Sequence, residues 1–205
     1  MDNFKELISN SGENVSRETI DQLVSFFGLI QKWNKKINLI SKNTTERELA
    51  NDHFLDCIQL QEIISGKECS ILDVGSGGGF PGIVLSILGY KGCEMIEIIT
   101  KKTIFLKSAL HELGLANKVH NMDVQKHSGD YDIIISRAVC SMEQMVEMTH
   151  HLSNPSTKYI FLKSKSQRVE IEELSQNWKF ELQEIQNKYK TEGTVYILSN
   201  LSRDA

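Results

Sequence analysis

The chain has 205 residues, 40% hydrophobic and 24% charged, which suits one sizeable globular domain with a small appendage. No apolar run approaches the ~20 residues of a membrane span, the start MDNFKELISN is not a signal peptide, and the four cysteines (Cys57, Cys69, Cys93, Cys140) form no CxxC pair. A reduced, cytoplasmic setting is therefore expected. The histidines are scattered apart from His150-His151, with no second ligand pair at metal spacing, so no metal site is expected. A formal net charge of −4 speaks against a nucleic-acid partner until its distribution is read. Three windows carry bases and no acid: Lys32, Lys35, Lys36 and Lys42 between Asp21 and Glu46; Lys101, Lys102 and Lys107 between Glu97 and Glu112; and Lys158, Lys163, Lys165 and Arg168 between Glu147 and Glu170. Phosphate contacts depend on such local patches rather than on the sum, although solvated faces look the same.

Residues 1–66 read as a helical segment packed on the rest of the chain. Ser16 is a cap for a helix that places Ile20, Leu23, Val24, Phe27 and Ile30 on one face. Thr45 to Glu48, TERE, is a capping box followed by Leu49, His53, Phe54, Cys57 and Ile58 at helical spacing. The region 67–205 changes rhythm. Strand-like runs SILDV, CEMIEI, KVHN, YDIIIS and KYIFLK alternate with helical patterns over 82–88, 101–114 and 142–152. That alternation implies crossover connections and a mainly parallel sheet. WKFELQEIQNKY, TEGT and VYILSN then form a hairpin, so the last strand should run antiparallel.

Between the first strand and the first helix lies ILDVGSGGGFPG, residues 71–82. Such a loop is where an open α/β sheet binds ligands. Gly77-x-Gly79-x-x-Gly82 satisfies the dinucleotide pattern, but its first glycine comes late after the strand. Asp73-x-Gly75-x-Gly77-x-Gly79 resembles the S-adenosylmethionine (SAM) loop of class I methyltransferases, whose ligand carries an ammonium and a sulfonium. Glu97, at the end of the second strand, suits ribose hydroxyls in either class. Asp123 follows the third strand, where it either faces an adenine amino group or makes a turn.

Six segments in order, covering nearly the whole chain, resemble the bacterial 16S ribosomal RNA guanine-N7 methyltransferase family (RsmG, also called GidB): KWNKKINLIS, NDHFLDCIQL, DVGSGGGFPGIVLSI, IEIITKKTIFLKSALHELGL, IISRAVCSM and FLKSK. The resemblance implies a class I SAM-dependent methyltransferase, a Rossmann-like, mainly parallel seven-stranded sheet with an antiparallel C-terminal hairpin, preceded by N-terminal helices. It implies SAM as cofactor, S-adenosylhomocysteine as product, and SAM-binding positions at Gly75, Phe80, Val124, Gln125 and Arg137, beside Asp73, Gly77, Gly79, Glu97 and Asp123. The chain departs from the family where Glu97 replaces Asp, Ile98 replaces Ser, Lys102 replaces Arg, and Ser164 replaces Gly; Asp123 stands where many members have Arg, Gln125 where many have Glu, and Asn51-Asp52 where Arg commonly precedes the histidine.

The implied reaction methylates N7 of a guanine, which has a free lone pair and needs no general base. Arg137 and Lys163 are expected to position RNA, and Lys32, Lys35, Lys36, Lys101, Lys102, Lys165 and Arg168 to contact it. His53 and Asp56 share one helical face, where packing and capping suffice to explain them. Trp33 reads as a core residue or a base-stacking platform. The expected partner is 16S ribosomal RNA, alone or within the small ribosomal subunit or an assembly intermediate. The competing readings are a methyltransferase for another RNA or a small molecule, and a non-catalytic NAD- or nucleotide-binding module.

Overall fold

The computed structural model describes residues 2–203. Helices α1 (Asp2–Ser9) and α2 (Arg17–Asn34) come first. Ser16 caps α2 by accepting from the Thr19 N–H, as its sequence position predicts. Thr45 and Glu48 form the expected capping box of α3 (Glu46–Leu49). The helical pattern that follows is less regular than its spacing predicts. A π-helical turn occupies Ala50–Leu55, α4 covers Asp56–Ile58, and a 3₁₀ turn covers Gln59–Glu62.

The rest is a seven-stranded sheet: β1 (Ile71–Val74), β2 (Cys93–Ile96), β3 (Val119–His120), β4 (Ile133–Arg137), β5 (Lys158–Ser164), β6 (Trp178–Gln186) and β7 (Gly193–Arg203). Their order is β3-β2-β1-β4-β5-β7-β6. The first five strands pair parallel, while β7 lies antiparallel between β5 and β6. This is the expected parallel sheet with a reversed hairpin. The crossover helices are α5 (Gly82–Ile87), α6 (Thr100–Glu112) and α7 (Met142–Thr149). A further helix, α8 (Val169–Leu174), goes beyond what the periodicity predicts. Among the described residues no helix is long and apolar enough to cross a membrane.

Side-chain alternation assigns the two faces of the sheet. Leu72 and Val74 of β1 pack with Met142, Met145 and Leu174 under α7 and α8. The opposite face meets α5 and the N-terminal helices. There Phe4, Phe26, Phe27 and Phe54 join Phe80, Ile83, Met95 and Phe105 in one core. Trp33, half-buried, packs edge-on against Phe105 at 5.7 Å between centroids. The aromatic core therefore holds the N-terminal helices against the glycine loop, the arrangement that positions the site.

Candidate functional site

Two cavities open at the C-terminal edge of the parallel strands, and both are lined by Ala138. The first, of about 380 Å³, lies between the ends of β1, β2 and β4. Its walls include Gly75, Glu97, Ile98, Lys102, Asp123 and Val124. Glu97 is buried, and its carboxylate accepts from the Gly77 N–H at 2.9 Å and the Ile99 N–H at 2.8 Å. One side chain thus clamps the glycine loop to the start of α6, yet each oxygen keeps a second lone pair for a hydroxyl donor. Asp123 makes the turn: Oδ1 accepts from the Gln125 N–H at 3.0 Å, capping the 3₁₀ turn Val124–Lys126, and the residue also lines the cavity. Val124 is buried in the same wall; the Gln125 side chain is exposed and lies outside the lining.

The glycines divide by task. Gly75 has φ +71°, and a Cβ there would lie 2.5 Å from Val139 Cγ2. Both the backbone conformation and the closeness of the 138–140 loop require glycine. Gly79 packs against Ile83 and Phe26 instead of facing the cavity. A Cβ at Gly82 would fall 2.6 Å from Asp73 Oδ2, which accepts from the Gly82 N–H at 2.9 Å.

That contact gives Asp73, expected among the cofactor-binding residues, a structural task. Asp73 alternates with Leu72 and Val74 and so faces α5; it is 0% exposed and absent from the cavity lining. Burial pushes its carboxyl up to about 6, although Ser76 and the Gly82 N–H favour the ionised form. Among the described residues its Oδ1 is buried without a hydrogen-bond partner. Asp73 ties β1 to the start of α5 and shapes the loop from beneath. Phe80, also expected at the cofactor, has a packing task as well. It is 4% exposed, 5.1 Å from the Phe54 ring and 5.0 Å from His53, and belongs to the aromatic core.

The second cavity, of about 760 Å³, is lined by residues from four separate segments, among them Asp52, Asp56, Arg137, Gln167 and Lys190. Arg137 sits at the end of β4 but turns away from the first cavity. Its Nη1 donates to the Asp52 carbonyl at 2.8 Å and lies 3.4 Å from Asp56 Oδ2; its Nη2 is 2.7 Å from His53 Nδ1. Lys190 Nζ donates to Asp56 Oδ2 at 2.9 Å, and Asn187 to Oδ1. Burial, then the charges of Arg137 and Lys190, push His53 down to about 3, so its imidazole is neutral and Nδ1 accepts from Arg137. Burial raises the Asp52 carboxyl. Sequence reasoning missed Asn187 and Lys190: the hairpin turn NKYKTEGT carries them, and only the antiparallel return of β7 brings them to Asp56.

The expected RNA contacts separate into engaged and free groups. Lys163 has a side chain 4% exposed and donates to Glu170 at 2.6 Å and to the Cys140 carbonyl at 2.7 Å, bracing β5 against α8 and the 138–140 loop. It is not an open cation. Arg168 pairs with Glu184 at 3.0 Å. Lys32, Lys35, Lys36, Lys101 and Lys165 are exposed, and Lys102 lines the first cavity.

Comparison with known proteins fits this geometry. The fold is similar to a SAM-dependent methyltransferase from Aquifex aeolicus (TM-score 0.56, 16% identity, 77% of this chain and 95% of that one). It is also similar to a ribosomal-protein methylase from Lactobacillus delbrueckii subsp. bulgaricus (TM-score 0.59, 14% identity, 81% of each chain). Ribosomal RNA small subunit methyltransferase G of Rickettsia prowazekii (strain Madrid E) is 37% identical over 189 residues, which is 92% of this chain and 98% of the relative. Residues 19–195 match the GidB family, described as rRNA small subunit methyltransferase G. The chain belongs to the GidB family of ribosomal RNA small subunit methyltransferases.

Proposed function

We propose that this chain is a cytoplasmic enzyme that transfers a methyl group from SAM to N7 of a guanine in 16S ribosomal RNA. Within the family placement, one observation carries the reading: two cavities of different chemistry adjoin at Ala138. The first fits a nucleoside-bearing cofactor, with a carboxylate at the end of β2, an apolar wall of Ile98, Ile99, Met122 and Val124, and Gly75 leaving backbone room. The second is large enough for a base and is lined by donors and acceptors.

Bound SAM supplies an electrophilic methyl on a positively charged sulfur, which leaves as a neutral thioether while N7 forms the new bond and the guanine takes up the charge. No proton moves at N7, so the side chains act by holding and aligning. Glu97 is placed for the ribose hydroxyls, Asp123 and Val124 for the adenine end, and Gly75 for backbone approach. His53, neutral and fixed by Arg137, is not a base in this scheme. Arg137 orders the wall of the second cavity, and Asp52 presents a carboxylate there with no hydrogen-bond partner of its own among the described residues. The exposed Lys32, Lys35, Lys36, Lys101 and Lys165, with Lys102 at the cleft, serve as phosphate contacts.

The test is methyl transfer from labelled SAM to small ribosomal subunits and to protein-free 16S RNA, with the product mapped for 7-methylguanine. Label at a single guanine N7 is the expected outcome. Label at another atom, or tight NAD binding without S-adenosylhomocysteine binding, would overturn the proposal.

A further inference from the structure

A second cluster of chemistry-bearing side chains lies at the β3 edge of the sheet, outside both cavities. Glu94 projects from β2, His120 from β3, and His127 from the segment that follows the Val124–Lys126 turn. Glu94 Oε2 is 2.7 Å from His120 Nε2 and accepts from the Tyr131 hydroxyl at 3.1 Å. The same hydroxyl lies 2.7 Å from His127 Nε2. One ligand atom from each of Glu94, His120 and His127 falls within 4.8 Å of the other two. Glu94 is distant in sequence from the two histidines, and the parallel pairing of β2 with β3 brings it to them.

The geometry points to a divalent transition-metal site, of zinc chemistry, held by Glu94, His120 and His127. Two imidazoles and one carboxylate are a donor set zinc accepts, with a fourth position left to water. Bonds of ~2.0–2.1 Å in a tetrahedron place ligand atoms roughly 3.3 Å apart, so binding draws the most distant ligand in by about 1.5 Å at most and opens the 2.7 Å contact between His120 and Glu94 slightly. His127 is the ligand to move, because it lies on a connecting segment rather than on a strand.

The surroundings prepare these groups as ligands. Lys118 takes Glu94 Oε1 at 2.9 Å, which leaves Oε2 for the ion. His151 Nε2 contacts the His127 carbonyl at 3.1 Å, a support behind the ligand. The rival account is a metal-free chain of hydrogen bonds through Tyr131, which satisfies the same atoms without an ion.

Bound metal would pin the segment containing Asp123 and Val124, one wall of the first cavity, to β2 and β3. This inference does not rest on the proposed methyl transfer, and its test reads metal rather than activity. Full-length protein freed of metal by chelation is titrated with zinc against a chromophoric chelator. One equivalent bound in the low-micromolar range or tighter is expected, with thermal stability rising on binding. His120→Gln and His127→Gln should each weaken binding by at least about tenfold, while His150→Gln, a surface control, leaves it unchanged. Cobalt added to the unaltered protein should give the intense visible absorption of a four-coordinate ion, a readout independent of whether any variant folds. A weak six-coordinate cobalt spectrum, absent binding, or equal zinc affinity in His127→Gln and the parent would overturn the site and leave the hydrogen-bond chain as the whole explanation.

Discussion

The two cavities that meet at Ala138 are built from different materials. The first is made mostly of backbone: a glycine loop, the end of a strand, an apolar wall, and one carboxylate that ties loop to helix. The second is made of ionic side chains from the π-helical turn, the end of β4 and the β6–β7 hairpin. Backbone sites are set by local geometry and survive many changes of side chain. Ionic sites depend on every partner, since a buried charge that loses its counterpart keeps its desolvation cost. The two halves should therefore respond differently to substitution, pH and salt.

The largest effect is expected in the ionic cavity. Asp56 is 1% exposed and serves Arg137, Lys190, Asn187 and Gln59. Asp56→Ala strands two cations and should lower the unfolding free energy by about 3–5 kcal/mol, measured by urea denaturation. Asp56→Asn, which keeps two of the polar contacts, should lose less. A loss below about 1 kcal/mol for the alanine variant, the scale of an exposed pair, would show that the network is open to water and erase the contrast between the cavities.

The pH response sharpens the contrast, because each region buries one group shifted in a different sense. Asp73 titrates at about 6 in the folded chain against 3.8 as its ordinary value. Between those values the folded state holds a proton that the unfolded state has released, so this group makes stability fall as pH rises from about 4 to 6. His53 titrates at about 3 against 6.5. There the unfolded state holds the extra proton, so stability is lost as pH falls below 6.5 toward 3. Each slope is at most about 1.4 kcal/mol per pH unit, and from pH 4 to 6 they oppose. Relative to the parent, Asp73→Asn should gain stability as pH rises through that window, and His53→Gln should gain it as pH falls. Parallel urea midpoints for parent and variants from pH 4 to 6.5 would refute both assignments.

The same division explains what is legible in the sequence. The sheet, its reversed hairpin, the caps at Ser16 and Thr45, and the glycine loop all depend on neighbours in the chain, and periodicity or turn chemistry reveals them. Glu97 is legible as an acid placed just after a strand at the sheet's edge, but its hold on the Gly77 and Ile99 N–H groups is not. Asp73 is only partly legible: the same motif fits a ligand or a helix start, and only the alternation of β1 shows that its side chain faces α5. Arg137 and Lys163 carry the right charges at the right strand ends, but their partners Asp56, His53 and Glu170 lie on other elements, and no local pattern says which way a long side chain turns. The π-helical turn at Ala50–Leu55 is hidden because its apolar spacing still reads as ordinary helix.

Within the backbone-built cavity a single side chain should matter moderately. Glu97→Gln keeps one acceptor oxygen for the Gly77 or the Ile99 N–H and turns an NH2 toward the other, so one of the two loop contacts is lost. It removes the charge offered to ribose hydroxyls, and S-adenosylhomocysteine affinity should fall by the equivalent of about 1–3 kcal/mol, read by calorimetry. Unchanged affinity would mean that the carboxylate acts only on the loop, making this cavity purely backbone in character.

The smallest effect concerns the rim that both cavities share. The Lys32–Lys42 window reaches the glycine loop: a Cβ at Gly78 would meet the Leu39 carbonyl at 3.1 Å, and Asn34 Oδ1 holds the turn by accepting from the Leu39 and Ile40 N–H groups at 2.8 and 3.1 Å. Lys35 and Lys36 therefore stand beside the first cavity's loop, while Lys165 follows Ser164 at the edge of the second. All three are exposed, so replacing them by alanine should leave folding and S-adenosylhomocysteine affinity unchanged. RNA binding should weaken, and its dependence on salt should shrink by about one unit for each phosphate that is no longer neutralised. The measurement is the slope of log affinity against log salt for the parent and the triple variant on the same RNA. Equal slopes would leave the three lysines as solvated charges and move phosphate recognition to Lys101 and Lys102, at the start of α6 beside the first cavity. A reduced slope with unchanged cofactor affinity would show that the rim holds RNA independently of the two cavities beneath it.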